Sequence, residues 1–241
     1  MSPGEDAHGD DDAAARRPLP REPAQRIAAA FLSQRRFGGR YHYHYVRTKL
    51  RSDPLYPGVC AALAGTGAPL LDLGCGLGLL AHALRQSGIG LRYHGLDNDR
   101  RKIAAAGRAA ARAGLGDTRF EAMDLSLALP PHRGSVAILD LLQFVDPARQ
   151  MPIVDGAIGM LEPGARLVIR TGLDDGGRRA RITRGADVLS RVLGWMNAAP
   201  RRYPEAAALR ARFDDAGLRS RFSPLSGDTP FNNWLIVAEH G

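Results

Sequence analysis

Three glycines alternate with other residues directly after an acidic residue, in the segment Asp72-Leu-Gly74-Cys-Gly76-Leu-Gly78. An apolar run precedes the segment and a helix-like pattern follows it, which predicts a strand-to-helix turn. Glycine at such a turn allows positive φ and lets a ligand approach the backbone with no Cβ in the way. A dinucleotide fingerprint needs its third glycine where Leu79 stands, and the Gly-Lys-Ser/Thr of a phosphate-binding P-loop is absent. Because the acidic side chain disfavours a pyrophosphate, the loop indicates a different ligand or, alternatively, a structural tight turn.

A second acidic position, Asp97, follows the next apolar run in the segment Gly-Leu-Asp97-Asn98. A carboxylate at the end of a strand beside a glycine turn is placed to accept hydrogen bonds from both hydroxyls of a ribose. Asp72 and Asp97 together therefore favour a bound nucleoside over a turn with no ligand. Cys75, within the loop, is expected to be a small packing residue that lies near this ligand incidentally.

An aromatic and basic segment, Tyr41-His42-Tyr-His44-Tyr45-Val-Arg47, precedes the glycine loop. An imidazole titrates near neutral pH, so His42 or His44 could act as a general base toward a phenol or carboxyl nucleophile. Histidines on an aromatic-rich helix are more often packing or surface residues, and this alternative is the stronger one. The remaining histidines lie at unrelated positions without the spacing of metal ligands, so no metal site is predicted.

Short apolar runs alternate with helical patterns from Pro69 onward, which predicts a parallel sheet covered by helices on both faces. We expect strands over 70–73, 91–96, 119–123, 136–141 and 166–171, and helices over 79–86, 99–112, 147–161, 186–196 and 204–216. Two closing strands, 220–225 and 231–238, flank a Ser-Gly-Asp-Thr-Pro turn and predict a hairpin at the sheet edge. The fold class is therefore α/β and doubly wound, with a helical lead-in before the first strand.

In this order of motifs the sequence resembles the class I S-adenosylmethionine-dependent methyltransferases, over roughly Leu70 to Glu239. The resemblance implies a Rossmann-like, mainly parallel sheet with an antiparallel C-terminal edge hairpin and a small helical cap. It also implies that the glycine loop meets the amino-acid part of the cofactor, that Asp97 binds the ribose and that Met123-Asp124-Leu125 borders the adenine. Asp124 could instead cap the segment that follows it. The implied cofactor-binding residues are Asp72, Gly74, Cys75, Gly76, Gly78, Asp97, Asn98, Met123, Asp124, Leu125 and Leu141.

The segment before the first strand is implied to cover the cofactor and substrate pockets. Its Arg-x-x-Pro portion looks like methyltransferases that act on small carboxylic acids, which implies that Arg51 meets the cofactor carboxylate. The tyrosine and histidine string is also similar to methyltransferases of bacterial aryl-polyene pathways. Asp140, at the end of the fourth strand, could line the methyl-transfer cleft or make a structural hydrogen bond, and it joins His42 and His44 as a catalytic candidate. The substrate-binding candidates are Tyr41, Tyr45, Arg47 and Gln143.

The chain has 241 residues, of which 44% are hydrophobic, and can build a sizeable core. Residues 1–20, with five acids and three prolines, predict a disordered tail. We expect an N-terminal helical lid over 21–66 and the cofactor-binding domain over 67–241, with cap and substrate helices in 172–218. Apolar runs stay short of the ~18 residues of a membrane span, and the acidic start does not resemble a secretory signal. Two cysteines without a partner motif favour the reducing cytoplasm.

The net charge of +8 is concentrated in two segments. Residues 21–51 hold eight basic and one acidic residue, and residues 176–221 hold eleven and four. We predict an S-adenosylmethionine-dependent methyltransferase whose small acceptor is anionic, aromatic or tethered to an acidic carrier protein. An RNA methyltransferase that sets these segments against phosphates is the alternative, and an inactive cofactor-binding interaction protein is a further one. Alternatively, the arginines of both segments lie on solvated surfaces and bind no partner. The sequence does not indicate an oligomeric state.

Overall fold

The structure is a computed structural model that describes residues 16–32, 40–174, 202–226 and 232–241. Within these ranges seven strands form one sheet, in the order β3-β2-β1-β4-β5-β7-β6. The strands are β1 (Leu70–Leu73), β2 (Tyr93–Asp97), β3 (Thr118–Ala122), β4 (Ser135–Leu139), β5 (Arg166–Gly172), β6 (Leu218–Pro224) and β7 (Asn233–His240). Strands β1 to β5 pair in parallel, and β7 pairs antiparallel with both β5 and β6. The predicted α/β class, parallel sheet and antiparallel edge hairpin are confirmed.

Helices cover both faces of this sheet. They are α1 (Arg21–Ala29), α2 (Tyr41–Ser52), α3 (Leu55–Leu63), α4 (Leu79–Gln86), α5 (Arg100–Arg112), α6 (Pro147–Ile158) and α7 (Ala206–Asp215). None of the helices in the described ranges is long and apolar enough to cross a membrane.

The sheet order creates a crevice beside β1. The chain leaves β1 toward β2 on one side, and after β3 it crosses back to β4 on the other side. Loops that follow β1 and β4 therefore diverge from neighbouring strands at the same sheet edge, which is where open α/β sheets bind ligands. The glycine segment follows β1 and Asp140 follows β4, so the topology brings both to this crevice.

Alternating side chains divide the core into two layers, because successive residues of a strand face opposite sides of the sheet. Leu70 packs with residues of α1 to α5, whereas Leu71 and Leu73 pack with residues of α6 and α7. All three leucines are fully buried. Burial of such a side chain contributes about 1.5–3 kcal/mol of stability, so both layers hold the strands that carry the crevice loops.

Arginine side chains fasten the N-terminal helices to the body of the protein. Arg112 of α5 donates to the carbonyl oxygen of Ala30, at the end of α1, at 2.7 Å. Arg166 of β5 donates to the carbonyl oxygens of Ala62 and Ala64, at the end of α3, at 2.9 and 3.0 Å. Carbonyl groups at a helix C-terminus lack helical partners, and cationic donors satisfy them well.

The structure corrects two of the predicted elements. Strand β4 ends at Leu139 rather than 141, because Asp140 takes a left-handed φ of 56° and leaves the strand. Helix α7 lies in the stretch predicted as cap, but its buried Leu209 and Phe213 belong to the layer that covers β4 and β5, so it is part of the body. The predicted helix over 186–196 and residues 1–15 of the predicted tail lie outside the described residues.

Candidate functional site

The glycine loop takes a backbone shape that requires glycine at two of its three glycine positions for reasons of space as well as conformation. Gly74, Gly76 and Gly78 have φ values of 82°, 56° and 69°. A Cβ on Gly78, where α4 begins, would lie 2.3 Å from the ring of Phe120, and one on Gly74 would lie 3.1 Å from Leu141. The side chain of Leu141 therefore supports the loop from the β4 side of the crevice.

Gly76 differs from its neighbours because a Cβ added there would meet no protein atom within 4 Å. Its N–H group donates to Oδ2 of Asp97 at 2.9 Å, and Oδ1 of Asp97 accepts from the N–H of Asp99 at 2.8 Å. Each carboxylate oxygen keeps a second lone pair, so both can still accept a ligand hydroxyl. The loop thus offers bare backbone on its open side and a fixed carboxylate next to it.

Asp72 is a buried carboxyl with a vacant acceptor position. Its Oδ2 accepts from the hydroxyl of Tyr93 at 2.5 Å. Its Oδ1 has no hydrogen-bond partner in the described part of the chain. Burial raises the pKa of Asp72 to about 7, against the opposing effect of the Tyr93 hydrogen bond. An orphaned acceptor that ionises near neutral pH fits a cationic donor of a ligand, because such a donor stabilises the charged form.

Cys75 packs behind the loop. Its Sγ would lie 2.8 Å from a Cβ on Gly95, and burial raises the pKa of the thiol well above its ordinary value. Its predicted role as a cofactor contact is not supported by the side chain, which contacts β2, and the packing interpretation fits better.

The predicted adenine side is an open groove between the ends of β2 and β3, which Asn98, Met123 and Asp124 line. The N–H of Met123 donates to the carbonyl oxygen of Asp97 at 3.0 Å, which joins the two strand ends. Oδ1 of Asp124 accepts from the N–H and the hydroxyl of Ser126, at 2.9 and 2.6 Å, and the Ser126 hydroxyl lowers the pKa of Asp124. This is the local capping role that the sequence left open. The side chain of Leu125 is buried in the core, which leaves its predicted contact with the adenine to its backbone.

At the other end of the crevice, Asp140 is held by the neighbouring strand. Its N–H donates to the carbonyl oxygen of Arg170 in β5 at 2.8 Å. Its Oδ2 accepts from Nη1 of Arg170 and lies 3.6 Å from Nζ of Lys49 in α2. A non-glycine residue rarely adopts positive φ, and such residues concentrate at functional sites.

A buried ion cluster surrounds Asp140. Nη2 of Arg170 donates to both oxygens of Asp53 at 3.1 Å, and Nζ of Lys49 donates to Oδ2 of Asp53 at 2.6 Å. The side chains of Arg170 and Asp53 are 4% and 7% exposed. Burial opposes the charge on Asp53, yet Lys49 and Arg170 outweigh it and lower its pKa. Burial opposes the charge of Lys49 in the same way, and the two carboxylates raise its pKa. The cluster therefore holds two cations and two anions and is neutral overall.

Three tyrosines lie close to this cluster. Burial raises the pKa values of Tyr45, Tyr56 and Tyr203, and the charge of Asp140 raises each further. The ring of Tyr203 packs on the backbone of Gly172, where a Cβ would lie 2.6 Å from it. Three buried or half-buried phenols, from α2, α3 and the segment after β5, are thus near enough to Asp140 for its charge to act on them.

The structure separates the other lid candidates from Asp140. Successive helix residues turn by about 100°, so Arg51 lies about 200° from Lys49 and is exposed, and its prediction as a cofactor contact is not supported. His44 is exposed and Tyr41 is 52% exposed. Burial and then the charge of Arg108 lower the pKa of His42, which places it beside α5.

Two substrate candidates have structural partners. Arg47 stacks on the ring of Tyr43 at 5.8 Å, and the buried Gln143 accepts from the hydroxyl of Thr171 at 3.2 Å. Tyr45 is the lid candidate that the structure brings to Asp140. Sequence reasoning missed Arg170 and Asp53, although a cation inside the apolar strand Leu-Val-Ile-Arg170-Thr and the four-residue spacing of Lys49 and Asp53 were available signals.

Part of the chain matches known proteins. Residues 70–164, from β1 to the loop before β5, match the family model described as a methyltransferase domain. A ubiquinone biosynthesis O-methyltransferase of Xylella fastidiosa is 35% identical over 109 residues, 44% of this chain and 42% of that protein. The protein of the same name in Psychrobacter arcticus is 31% identical over 116 residues, 46% of this chain and 43% of that protein. The chain thus matches less than half the length of these curated relatives.

Solved structures share the fold across most of the chain. A magnesium protoporphyrin IX methyltransferase from Synechocystis PCC 6803 with bound SAH aligns with a TM-score of 0.58 at 19% identity, over 90% of this chain and 93% of that one. An O-methyltransferase family protein from Burkholderia thailandensis aligns with a TM-score of 0.62 at 19% identity, over 97% of this chain and 67% of that one. At such identities the likeness establishes the fold.

Proposed function

We propose that the chain is a class I S-adenosylmethionine-dependent methyltransferase, which binds S-adenosylmethionine and methylates a hydroxyl of a small aromatic acceptor; the match to a methyltransferase-domain model, the curated relatives and the shared fold support this proposal. The observation that carries the proposal is the glycine loop, which is open at Gly76 and tied through the Gly76 N–H to Asp97. The names of the curated relatives favour oxygen as the methylated atom.

The residues of the crevice fit the parts of this cofactor. Asp97 keeps one lone pair on each oxygen for the ribose hydroxyls, and the bare backbone at Gly76 leaves room for the ligand. The orphaned Oδ1 of Asp72 would accept from the ammonium group of the amino-acid part. The groove beside Asn98 and Met123 would take the adenine. When bound, the cofactor supplies a methyl group that its sulfonium already activates.

The residues of the protein have to align the acceptor, exclude water and receive a proton. Asp140 stands at the end of β4 and would accept the proton of the acceptor hydroxyl as the oxygen is methylated. Tyr45, Tyr56 and Tyr203 would form the walls around an aromatic ring. Good alignment of two reactants lowers a barrier by up to ~7–11 kcal/mol, so positioning supplies most of what this reaction requires.

Attraction of an anionic acceptor would come from exposed arginines rather than from the buried ion cluster around Asp140. Lys49 is neutralised by Asp53 and Asp140, so it does not attract an anion. Arg40 and Arg51 of the first basic segment are exposed, while Arg178, Arg179 and Arg181 of the second lie outside the described residues. An acidic carrier would meet these exposed arginines outside the crevice, and its encounter with the enzyme would weaken with salt.

Calorimetric titration with S-adenosylmethionine tests the loop directly. In Gly76→Val the branched side chain occupies the open space that the ligand needs, so binding should be lost in a folded protein. Gly88→Val is the matched control, because Gly88 has a φ of 73° and equally open surroundings away from the crevice. Both variants suffer the same backbone strain, and the control should bind normally. Normal binding by Gly76→Val would remove the main support of the proposal.

The acceptor class can be read from labelled methyl transfer into cell extract, with and without ribonuclease, followed by separation by size. Label in the small-molecule fraction supports the proposal. Ribonuclease-sensitive label in large molecules points to RNA methylation, label on a small protein points to a carrier, and cofactor binding with no transfer in any fraction indicates the inactive interaction protein.

A further inference from the structure

Arg170 contacts Asp140 through both its main chain and its side chain. Its carbonyl oxygen accepts from the Asp140 N–H at 2.8 Å, and its Nη1 donates to Oδ2 of Asp140. Its Nη2 reaches across to both oxygens of Asp53, at the junction of α2 and α3. One guanidinium therefore joins the end of β4 to the N-terminal lid, and its planar fork suits two carboxylates held in fixed directions.

Asp53, which accepts from Arg170, also accepts hydrogen bonds from two helices. Its Oδ1 accepts from the N–H of Leu55 at 3.0 Å, at the start of α3, and its Oδ2 accepts from Nζ of Lys49 at 2.6 Å, in the last turn of α2. Lys49 lies farther from Asp140, at 3.6 Å. The lysine is therefore held mainly by Asp53, and the arginine holds Asp140.

Left-handed backbone at Asp140 makes this support necessary. An aspartate with a φ of 56° is strained, and a strained residue persists where its surroundings over-determine it. A carboxylate released from Arg170 could turn away from the crevice. If Asp53 lost its charge, two cations would compete for Asp140, and Lys49 would draw it toward the lid.

We propose that Arg170 and Asp53 are positioning residues, which hold the Asp140 carboxylate and the lid helix α2 in register for methyl transfer. The inference rests on the proposed function. Neither residue touches the acceptor; each acts through Asp140 or Lys49. The cofactor end of the crevice, at Asp72, Gly76 and Asp97, is built by other strands, so cofactor affinity should not depend on the cluster.

Asp53→Asn is the test variant that spares the fold, because the amide oxygen can still accept from the Leu55 N–H while the charge is removed. Arg170→Met removes the link altogether, and Arg170→Lys restores the charge without the fork. Arg166→Met is the matched control: it is an arginine four residues earlier on β5, which binds Glu239, Ala62 and Ala64 instead.

Three measurements separate positioning from general stability. S-adenosylhomocysteine affinity, by calorimetry, should stay within about threefold of wild type in all variants, since a uniform loss of more than that would report unfolding. The rate of labelled methyl transfer is measured with a saturating amount of the extract fraction that contains the acceptor. This rate should fall by on the order of 100-fold in Arg170→Met and by less in Asp53→Asn. It should recover in part in Arg170→Lys. Hydrogen exchange over residues 41–52 should quicken in Arg170→Met and Asp53→Asn but not in Arg166→Met.

The outcomes distinguish this inference from the proposed function. If wild-type protein does not bind S-adenosylhomocysteine, the proposed function fails. If it binds and transfers methyl groups, and Arg170→Met and Asp53→Asn keep the wild-type rate, the positioning role fails. If hydrogen exchange over residues 41–52 is as slow in both variants as in wild type, the inference is overturned, and this result does not require an identified acceptor.

Discussion

Asp72 should make the stability of the free protein fall as pH rises. Its pKa of about 7 lies above the ordinary value of 3.8, and its side chain is buried with Oδ1 unpartnered. Between these pH values the folded state binds a proton that the unfolded state has lost, so stability declines as pH rises through this window. At ~1.4 kcal/mol per pH unit, the difference amounts to about 4 kcal/mol above pH 7.

The substitution Asp72→Asn should remove this decline. A neutral amide resembles the protonated carboxyl in size, and its oxygen can still accept from the Tyr93 hydroxyl. The variant should therefore match wild type near pH 4 and exceed it by up to about 4 kcal/mol at pH 8. Urea unfolding of the free protein at pH 4, 6 and 8 measures this directly. Asp214→Asn, on an exposed turn of α7, is a control that should follow wild type.

Parallel stability curves for wild type and Asp72→Asn from pH 4 to 8 would refute the reasoning, since they would mean that the buried carboxyl does not carry a raised pKa. The same pKa gives a binding signature. If the cofactor ammonium meets Asp72, binding near pH 6 should release a proton, which titrations in buffers of different ionisation enthalpy detect.

Two further predictions concern other buried groups. Burial lowers the pKa of His82 to about 4 from 6.5, so between these pH values the unfolded state binds a proton that the folded state does not bind. The free energy of unfolding of wild type should therefore fall by about 3 kcal/mol as pH falls from 6.5 to 4, and that of His82→Leu should not. An equal acid loss in both proteins would contradict this. Gly78→Ala should destabilise more than Gly88→Ala, by ~1–3 kcal/mol in urea unfolding, because the new methyl group meets the Phe120 ring in one case and open space in the other. Equal losses would show that strain alone matters at both sites.

The fold and the cofactor end of the site could be predicted because their signals are local. Helix α4 and the glycine loop follow from a few adjacent residues, and Asp97 is marked by its place at the end of an apolar run. Each depends on backbone conformation and strand order, which periodicity and glycine spacing encode. The hydrogen bond from the Gly76 N–H to Asp97 was not predicted, since it joins residues 21 positions apart.

The part of the site around Asp140 could not be predicted to the same degree, because it depends on contacts between segments that are distant in the sequence. Arg170 meets Asp53, which is 117 positions earlier, and no local pattern pairs them. The choice of Arg51 did not use helix phase, and the structure places Lys49 beside Asp140 while Arg51 is exposed. The orientations of Asp124 and Leu125 were not predicted either, because they depend on a turn in which the Ser126 N–H donates to Asp124 and on the packing that buries Leu125.

We propose that Asp97 and the glycine loop form the binding site for S-adenosylmethionine and its demethylated product. Calorimetric titration of S-adenosylhomocysteine into wild type and Asp97→Ala tests it most directly. The carboxylate would accept from two ribose hydroxyls and also fixes the Gly76 N–H, and charge-assisted hydrogen bonds of this kind contribute about 1.5–3 kcal/mol each. We expect saturable one-site binding to wild type and an affinity lower by on the order of 10- to 100-fold in Asp97→Ala. Equal affinity in the two proteins, or no binding to wild type, would contradict the claim.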